Sequence, residues 1–218
     1  MVKGHIIFDF DGTVVDSYHA VICGIQEVLG QELERSIDLE EIKKKYDPHL
    51  PVLMSNFGLS AEDRFLVKKL AERWSALAVE RPFDYKVFPG IKELFSELKR
   101  EQLLTHLWTA RDRASTLKIK RELGIENLFN DFRCGDDTKT KPDPEGIQSL
   151  VGASSPKRVV VIGDSHMDIM GAKDFGCHFI GAMWCQSADR QKVSSFGPDH
   201  LADGPMDCMT FIRKVLLK

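Results

Sequence analysis

Short apolar runs alternate with helical stripes along most of this chain. Ile6-Ile7-Phe8, Leu103 to Trp108, Arg158 to Ile162 and His178 to Trp184 read as strands. The run Arg158 to Ile162 is the clearest buried strand, with Val159 to Ile162 apolar throughout. Asp131 to Cys134 and the segment around His200 to Ala202 are weaker strand candidates. Apolar residues at helical spacing predict helices over Ile91 to Arg100, Arg113 to Leu123 (stopped by Gly124), the stretch up to Val151, Ile169 to Phe175, and Met206 to Leu217. Strand–helix alternation of this kind implies a parallel sheet with helices on both faces.

Residues 16–88 interrupt that rhythm. Val21, Ile22, Ile25, Val28 and Leu29 lie on one helical stripe, with Ser17 as its cap and Gly30 as its end. A second helix is predicted from Asp38 to Tyr46, and Asp47-Pro48-His49-Leu50-Pro51 must break it. Ser60 to Asp63 reads as a capping box opening a helix through Phe65, Leu66, Leu70, Trp74, Leu77 and Ala78. The stripe with Trp74 and Phe65 reads as core of this block, the alternative being a substrate platform. No convincing strand occurs in it. The expected organisation is an α/β core from residues 1–15 and 89–218, with a helical block at 16–88 inserted after the first strand.

Composition narrows the picture modestly. The chain has 218 residues, 43% hydrophobic and 29% charged, with net charge −3. That suits a sizeable globular core and gives no basic surface for nucleic acid. No apolar run approaches the roughly 20 residues of a membrane span, and no signal-peptide pattern is expected at the N-terminus. Cys23, Cys134, Cys177, Cys185 and Cys208 form no C-x-x-C pair. They read as reduced, mostly buried thiols of a cytoplasmic protein.

The chemistry concentrates at predicted strand ends. Ile6-Ile7-Phe8 runs into Asp9-Phe10-Asp11-Gly12-Thr13. Two carboxylates just past a buried strand are costly unless a cation or hydrogen-bond donors meet them. Taken alone they could simply cap local backbone groups. An EF-hand loop is excluded, because Thr13 and Val14 stand where such a loop needs further ligand and turn residues. Other strand ends carry Thr109, Lys141 after its loop, and Asp164 with Asp168. In open α/β sheets such ends share one edge, where ligands bind.

The string D-F-D-G-T-x-x-D-S, then Thr109, then K-P-D-P at 141–144, then Asp164/Asp168 after RVVVIG, resembles the four ordered motifs of the haloacid dehalogenase superfamily. The K-P-D-P run is similar to its phosphoglycolate phosphatase and β-phosphoglucomutase-like subgroup. The resemblance covers His5 to about Leu217. It implies a doubly wound, Rossmann-like parallel sheet with the helical block as a mobile cap. It further implies a Mg²⁺-dependent phosphatase acting on a small phosphorylated metabolite through an aspartyl-phosphate. In that reading Asp9 is the nucleophile and Asp11 the acid/base. The metal is held by Asp9, the Asp11 backbone carbonyl and Asp164. Thr109 donates to a phosphate oxygen, Lys141 offsets negative charge, and Asp168 orders the metal's waters.

A phosphate dianion repels nucleophiles, so gathered positive charge is what such chemistry needs. An all-oxygen donor set suits a hard cation such as Mg²⁺. Other readings stand beside these roles. Thr109 can be a helix N-cap, Asp164 and Asp168 can suit a helix dipole, and Lys139 competes with Lys141. Arg111 is placed for a second phosphate contact or is a solvated helix-start residue. His166 reads as a bystander. Lys43, Lys44, His49 and Arg64 are specificity candidates or solvated charges. A phosphomutase of the β-phosphoglucomutase type shares every motif, and a non-catalytic binding protein on the same fold is the other alternative. Oligomeric state is not legible.

Overall fold

The computed structural model describes residues 3–81 and 84–217, so residues 82 and 83 of the inserted block lie outside the described residues. Two compact units are present: Met1–Asp16 with Tyr85–Lys218, and Ser17–Asp84.

Among its described residues the second unit has four helices: α1 (Tyr18–Glu32), α2 (Leu39–Lys45), α3 (Leu50–Asn56) and α4 (Arg64–Glu80). Its core is built from Ile22, Ile25, Leu29, Ile37, Ile42, Leu53, Met54 and Leu70. Several local expectations change. Gly30 does not end α1; the helix continues to Glu32 and is capped at Leu33, which also packs on this core. Ser17 occupies the N-cap position without a side-chain cap bond. Ser60 does not cap α4. Asp63 stands directly before the helix, and its carboxylate accepts from the Leu66 N–H at 3.0 Å. A charged acceptor at a helix N-terminus also gains from the dipole. α2 ends at Lys45, ahead of the Asp47–Pro51 stretch, and Pro51 sits in the first turn of α3, where its missing N–H costs nothing. Trp74 packs against Gly24, whose added Cβ would lie 1.8 Å from the indole. Phe65, expected in the same stripe, is 78% exposed.

In the first unit, β1 (His5–Phe8) is followed by the short β2 (Val15–Asp16), which pairs antiparallel with β3 (Lys86–Val87). This ribbon places Asp16 and Tyr85–Phe88 with the sheet unit, although the sequence texture groups them with the helical block. The remaining strands are β4 (Leu104–Trp108), β5 (Asp131–Arg133), β6 (Val159–Gly163), β7 (His178–Ala182) and β8 (His200–Ala202). With β1 they form a six-stranded sheet in the order β5-β4-β1-β6-β7-β8, every pair parallel. β1 and β6 are buried at every residue, as central parallel strands covered on both faces must be. The helices are α5 (Ile91–Arg100), α6 (Arg113–Glu122), α7 (Glu145–Val151), α8 (His166–Phe175), α9 (Arg190–Ser195) and α10 (Cys208–Leu216). The polar stretch of α9 gave no helical periodicity in the sequence, yet its Asp189 N-cap accepts from Lys192 N–H at 2.8 Å.

Register fixes where the chemistry converges. Phe8 lies opposite Leu107 of β4 on one side and Ile162 of β6 on the other. Asp9 therefore emerges beside Trp108 and Gly163, at the carboxyl end of the central strand, where the strand order reverses. Open α/β sheets bind ligands at such a switch point.

Candidate active site

Asp9 is fixed by its own N–H, which donates to the Ile162 carbonyl at 2.9 Å. The chain then turns at Gly12, whose φ is +83°. A Cβ there would sit 2.2 Å from an Asp164 carboxylate oxygen. Glycine is thus required twice, for the backbone conformation and for the approach of Asp164. Carboxylate oxygens of Asp9, Asp164 and Asp168 all lie within 4.8 Å of one another.

The cation among them is Lys141. Its Nζ donates to an oxygen of Asp9 and to an oxygen of Asp168, each at 2.5 Å, and it is 5% exposed. Lys141 precedes a cis peptide bond to Pro142. The competing Lys139 is an exposed residue near Asp143 and Glu145. Asp168 spends its second oxygen on the Ser165 N–H (3.1 Å) and hydroxyl (2.6 Å), the reciprocal cap that starts α8. Both its oxygens are thereby engaged. The carboxylate expected to order a metal's waters thus also holds the Lys141 ammonium beside Asp9.

Burial pushes the Asp9 carboxyl up to about 7, with Lys141 pulling it down and Asp168 adding repulsion. Desolvation, then the charges of Asp9 and Asp168, raise the Asp164 pKa well above its ordinary value. Burial opposes the charge of Lys141, but Asp168 and Asp9 outweigh it and its pKa rises. One lysine among three clustered carboxylates leaves negative charge uncompensated. An all-oxygen cluster with that deficit fits a hard divalent cation. Asp9 and Asp164 are the two with oxygens not both committed to neighbours. Cys134, Asp136 and Asp137 also lie within 4.8 Å of one another. There, however, Asp137 takes a bidentate bond from Arg113 and Asp136 accepts the Arg113 N–H, which is a structural tie.

Thr109 follows β4 and is 2% exposed. It is not the cap of α6; Asp112 is, accepting from Ser115 N–H at 2.9 Å. The Thr109 hydroxyl oxygen accepts the Arg111 N–H at 3.1 Å, which leaves its own proton to donate. Arg111 is not a solvated helix-start residue. Its side chain is 3% exposed, and Nε and Nη2 donate to the two oxygens of Asp11 at 2.9 and 2.6 Å. Burial works against the guanidinium charge, and the facing Asp11 carboxylate outweighs it and raises the pKa. His166 stacks on Phe196 with ring centroids 6.2 Å apart.

Sequence reasoning missed three neighbours of the site. The Trp108 ring lies under Lys141, its centroid 4.6 Å from Nζ. Tyr85 lies beside Arg111, its ring centroid 5.7 Å from Cζ. Trp184 donates its indole N–H to the Thr13 carbonyl at 3.0 Å. Only the position of Trp108, directly before Thr109, offered a signal.

Comparison with known proteins bears on the family and the fold. A family model described as haloacid dehalogenase-like hydrolase matches residues 6–182. The chain is 23% identical to the pyrophosphatase PpaX of Bacillus velezensis over 94% of each protein. It is 22% identical to the phosphoglycolate phosphatase of Synechococcus elongatus, over 97% of this chain and 98% of that one. The fold is shared with a haloacid dehalogenase-like family hydrolase from Streptococcus pneumoniae, with TM-score 0.76 and 22% identity over 95% and 97% of the two chains.

Proposed function

The chain belongs to the haloacid dehalogenase-like hydrolases, and on that premise we propose that it is a Mg²⁺-dependent phosphatase of small phosphorylated metabolites. The observation that carries this reading is the buried Asp9 carboxylate, gripped by Lys141 and crowded by Asp164 at the end of the central strand. The names of the relatives, a pyrophosphatase and a phosphoglycolate phosphatase, support a phosphoryl substrate.

In this proposal Lys141 holds the Asp9 carboxylate in place and draws a dianionic phosphoryl group toward it. Asp9 attacks phosphorus; a bond forms from its carboxylate oxygen to phosphorus as the bond to the leaving oxygen breaks. Asp11 hands that oxygen a proton. The Thr109 hydroxyl donates to a phosphoryl oxygen, its own oxygen being already fixed by the Arg111 N–H. Asp11 then takes a proton from water, which attacks phosphorus and frees Asp9. Asp9, Asp164 and the Asp11 backbone carbonyl would hold Mg²⁺, which when bound supplies further positive charge against the phosphoryl oxygens. The setting we propose is the cytoplasm, where the five free cysteines would stay reduced. Among the described residues no helix is long and apolar enough to cross a membrane.

The test is phosphate release from an aryl phosphate, with Mg²⁺ titrated against wild type and Asp164→Asn. Wild type should need the metal and lose activity in chelator. Asp164→Asn should need far more Mg²⁺ while keeping its fold. Metal-independent turnover, or an unchanged activation curve in the variant, overturns the reading.

A further inference from the structure

We propose that Arg111 is the positioning residue of Asp11, which it holds from a rigid, buried anchor; this rests on the reading of Asp11 as the acid/base above. The two residues are 100 positions apart in sequence and meet in a fork-to-fork pair, Nε to one carboxylate oxygen at 2.9 Å and Nη2 to the other at 2.6 Å. The pair is asymmetric. The arginine side chain is 3% exposed and the aspartate 27%. The buried member is the fixed one, and the exposed carboxylate takes its orientation from it.

The anchor is itself tied down at its backbone. Its N–H donates to the Thr109 hydroxyl at 3.1 Å, and its carbonyl accepts from the Gly135 N–H at 2.9 Å. A Cβ on Gly135 would lie 2.3 Å from the Ala110 carbonyl oxygen, so this close approach needs a residue without a side chain. Tyr85 packs its ring against the guanidinium. Two planar parallel hydrogen bonds fix both position and rotation of a carboxylate, which a lysine ammonium cannot do. Proton transfer to a leaving oxygen needs that carboxylate in one place, and misplacement by about 1 Å can cost roughly 10²-fold in rate. The guanidinium commits its Nε and Nη2 edge to Asp11, while Nη1 is buried with no hydrogen-bond partner among the described residues. The arrangement therefore assigns that edge of Arg111 to Asp11, gripping both oxygens of the carboxylate.

The experiment is a double-mutant cycle with p-nitrophenyl phosphate and saturating Mg²⁺, using Arg111→Met, Asp11→Asn and the double variant, with Arg111→Lys as a charge-keeping control. Arg111→Met should lower kcat by about 10- to 100-fold with KM changed less than about 3-fold. In the Asp11→Asn background the same substitution should cost less than about 3-fold, because its target is already disabled. Arg111→Lys, which keeps the buried charge and hence the fold, should recover less than half of the lost rate. A raised KM at unchanged kcat identifies a phosphate contact and overturns the inference. So does an equal loss in both backgrounds, or a faster Arg111→Met enzyme, which would mean that the pair parks Asp11 out of use. Those outcomes leave Asp11 impaired on its own and so touch only Arg111. An Asp11→Asn protein with wild-type turnover removes the reading of Asp11 itself, and the inference falls with it.

Discussion

The Lys141 ammonium sits 4.6 Å from the centroid of the Trp108 ring, with Asp9 and Asp168 at 2.5 Å on its other sides. Trp108 is built in from two directions. A Cβ on Gly146 of α7 would lie 2.4 Å from the indole nitrogen, and one on Gly171 of α8 would lie 2.4 Å from the ring's far edge. Both helices leave glycine slots for this side chain, which forms part of the core beside Ile147 and Ile169. The ring face gives a buried ammonium a third favourable neighbour without adding negative charge.

Trp108→Leu should therefore lower kcat by about 10-fold and destabilise by roughly 3 kcal/mol through the space it leaves. Trp108→Phe leaves a cavity as well but keeps an aromatic face, so kcat should stay within about 3-fold of wild type. Thermal unfolding and kcat at saturating Mg²⁺ on both variants separate ring from volume. Equal kcat losses in the two would show that only packing matters there.

Gly12→Ala should hurt metal use more than stability. The φ of +83° costs an alanine about 1 kcal/mol or more. The new Cβ would fall 2.2 Å from an Asp164 oxygen. That carboxylate can relieve the clash by rotating, which is what spoils its place beside Asp9. The Mg²⁺ concentration for half-maximal activity should rise at least about 10-fold, while the melting temperature drops by only a few degrees. A large loss of stability with unchanged Mg²⁺ response would contradict this.

His106 predicts an acid limb in stability away from the site. Its ring, 4% exposed, shares a 3.0 Å hydrogen bond with His5, which in turn meets Ser154 at 2.9 Å. Burial, then the neighbouring His5, lowers the His106 pKa from 6.5 to about 4, with Asp131 and Arg133 acting in opposite directions. The pKa of His5 is also lowered, by burial and Arg158. An unfolded chain protonates these histidines at a pH where the folded chain does not. Their stabilisation is therefore complete above pH 6.5 and is lost as pH falls toward 4. For His106 alone it amounts to about 3 kcal/mol. Urea unfolding across pH 4 to 7 should show His106→Gln with a flatter acid limb than wild type. An equally steep profile would remove His106 as the cause.

What could be read from the sequence follows from how local each signal is. Asp9, Asp11 and Asp164 each stand at the end of a short apolar run, so strand, edge and chemistry arrive in one stretch. Thr109 and Lys141 needed the ordered set of motifs to stand out from ordinary polar residues. The Arg111–Asp11 pair was invisible, because nothing local marks a contact across 100 residues of sequence. The same holds for the glycine slots around Trp108, since Gly146 and Gly171 look like weak helix positions until the indole is placed. The cap at Asp63 and the helix opened by Pro51 were misjudged for another reason. A capping carboxylate and an N-terminal proline are legible only once the first helical residue is known, and turn residues on either side obscure it.

Asp9 and Asp11 should fail in different ways. Asp9→Asn keeps the shape of the side chain and its neighbourhood with Lys141, but an amide does not attack phosphorus effectively. Activity should fall to background and no phosphoenzyme should form. Asp11→Asn keeps the nucleophile and loses proton transfer, typically about 10²–10⁴-fold. An aryl leaving group needs little protonation, so its first step should lose less than that of an alkyl phosphate. Hydrolysis of the aspartyl-phosphate still needs a base to activate water. The Asp11→Asn protein given an aryl phosphate should therefore release a burst of phenol and then turn over slowly, with phosphate retained on Asp9. Rapid-quench kinetics with mass spectrometry of the trapped protein reads both variants. Substantial turnover by well-folded Asp9→Asn, or a label on any other residue, would show that Asp9 is not the nucleophile, and the order of steps proposed for Asp11 would fall with it.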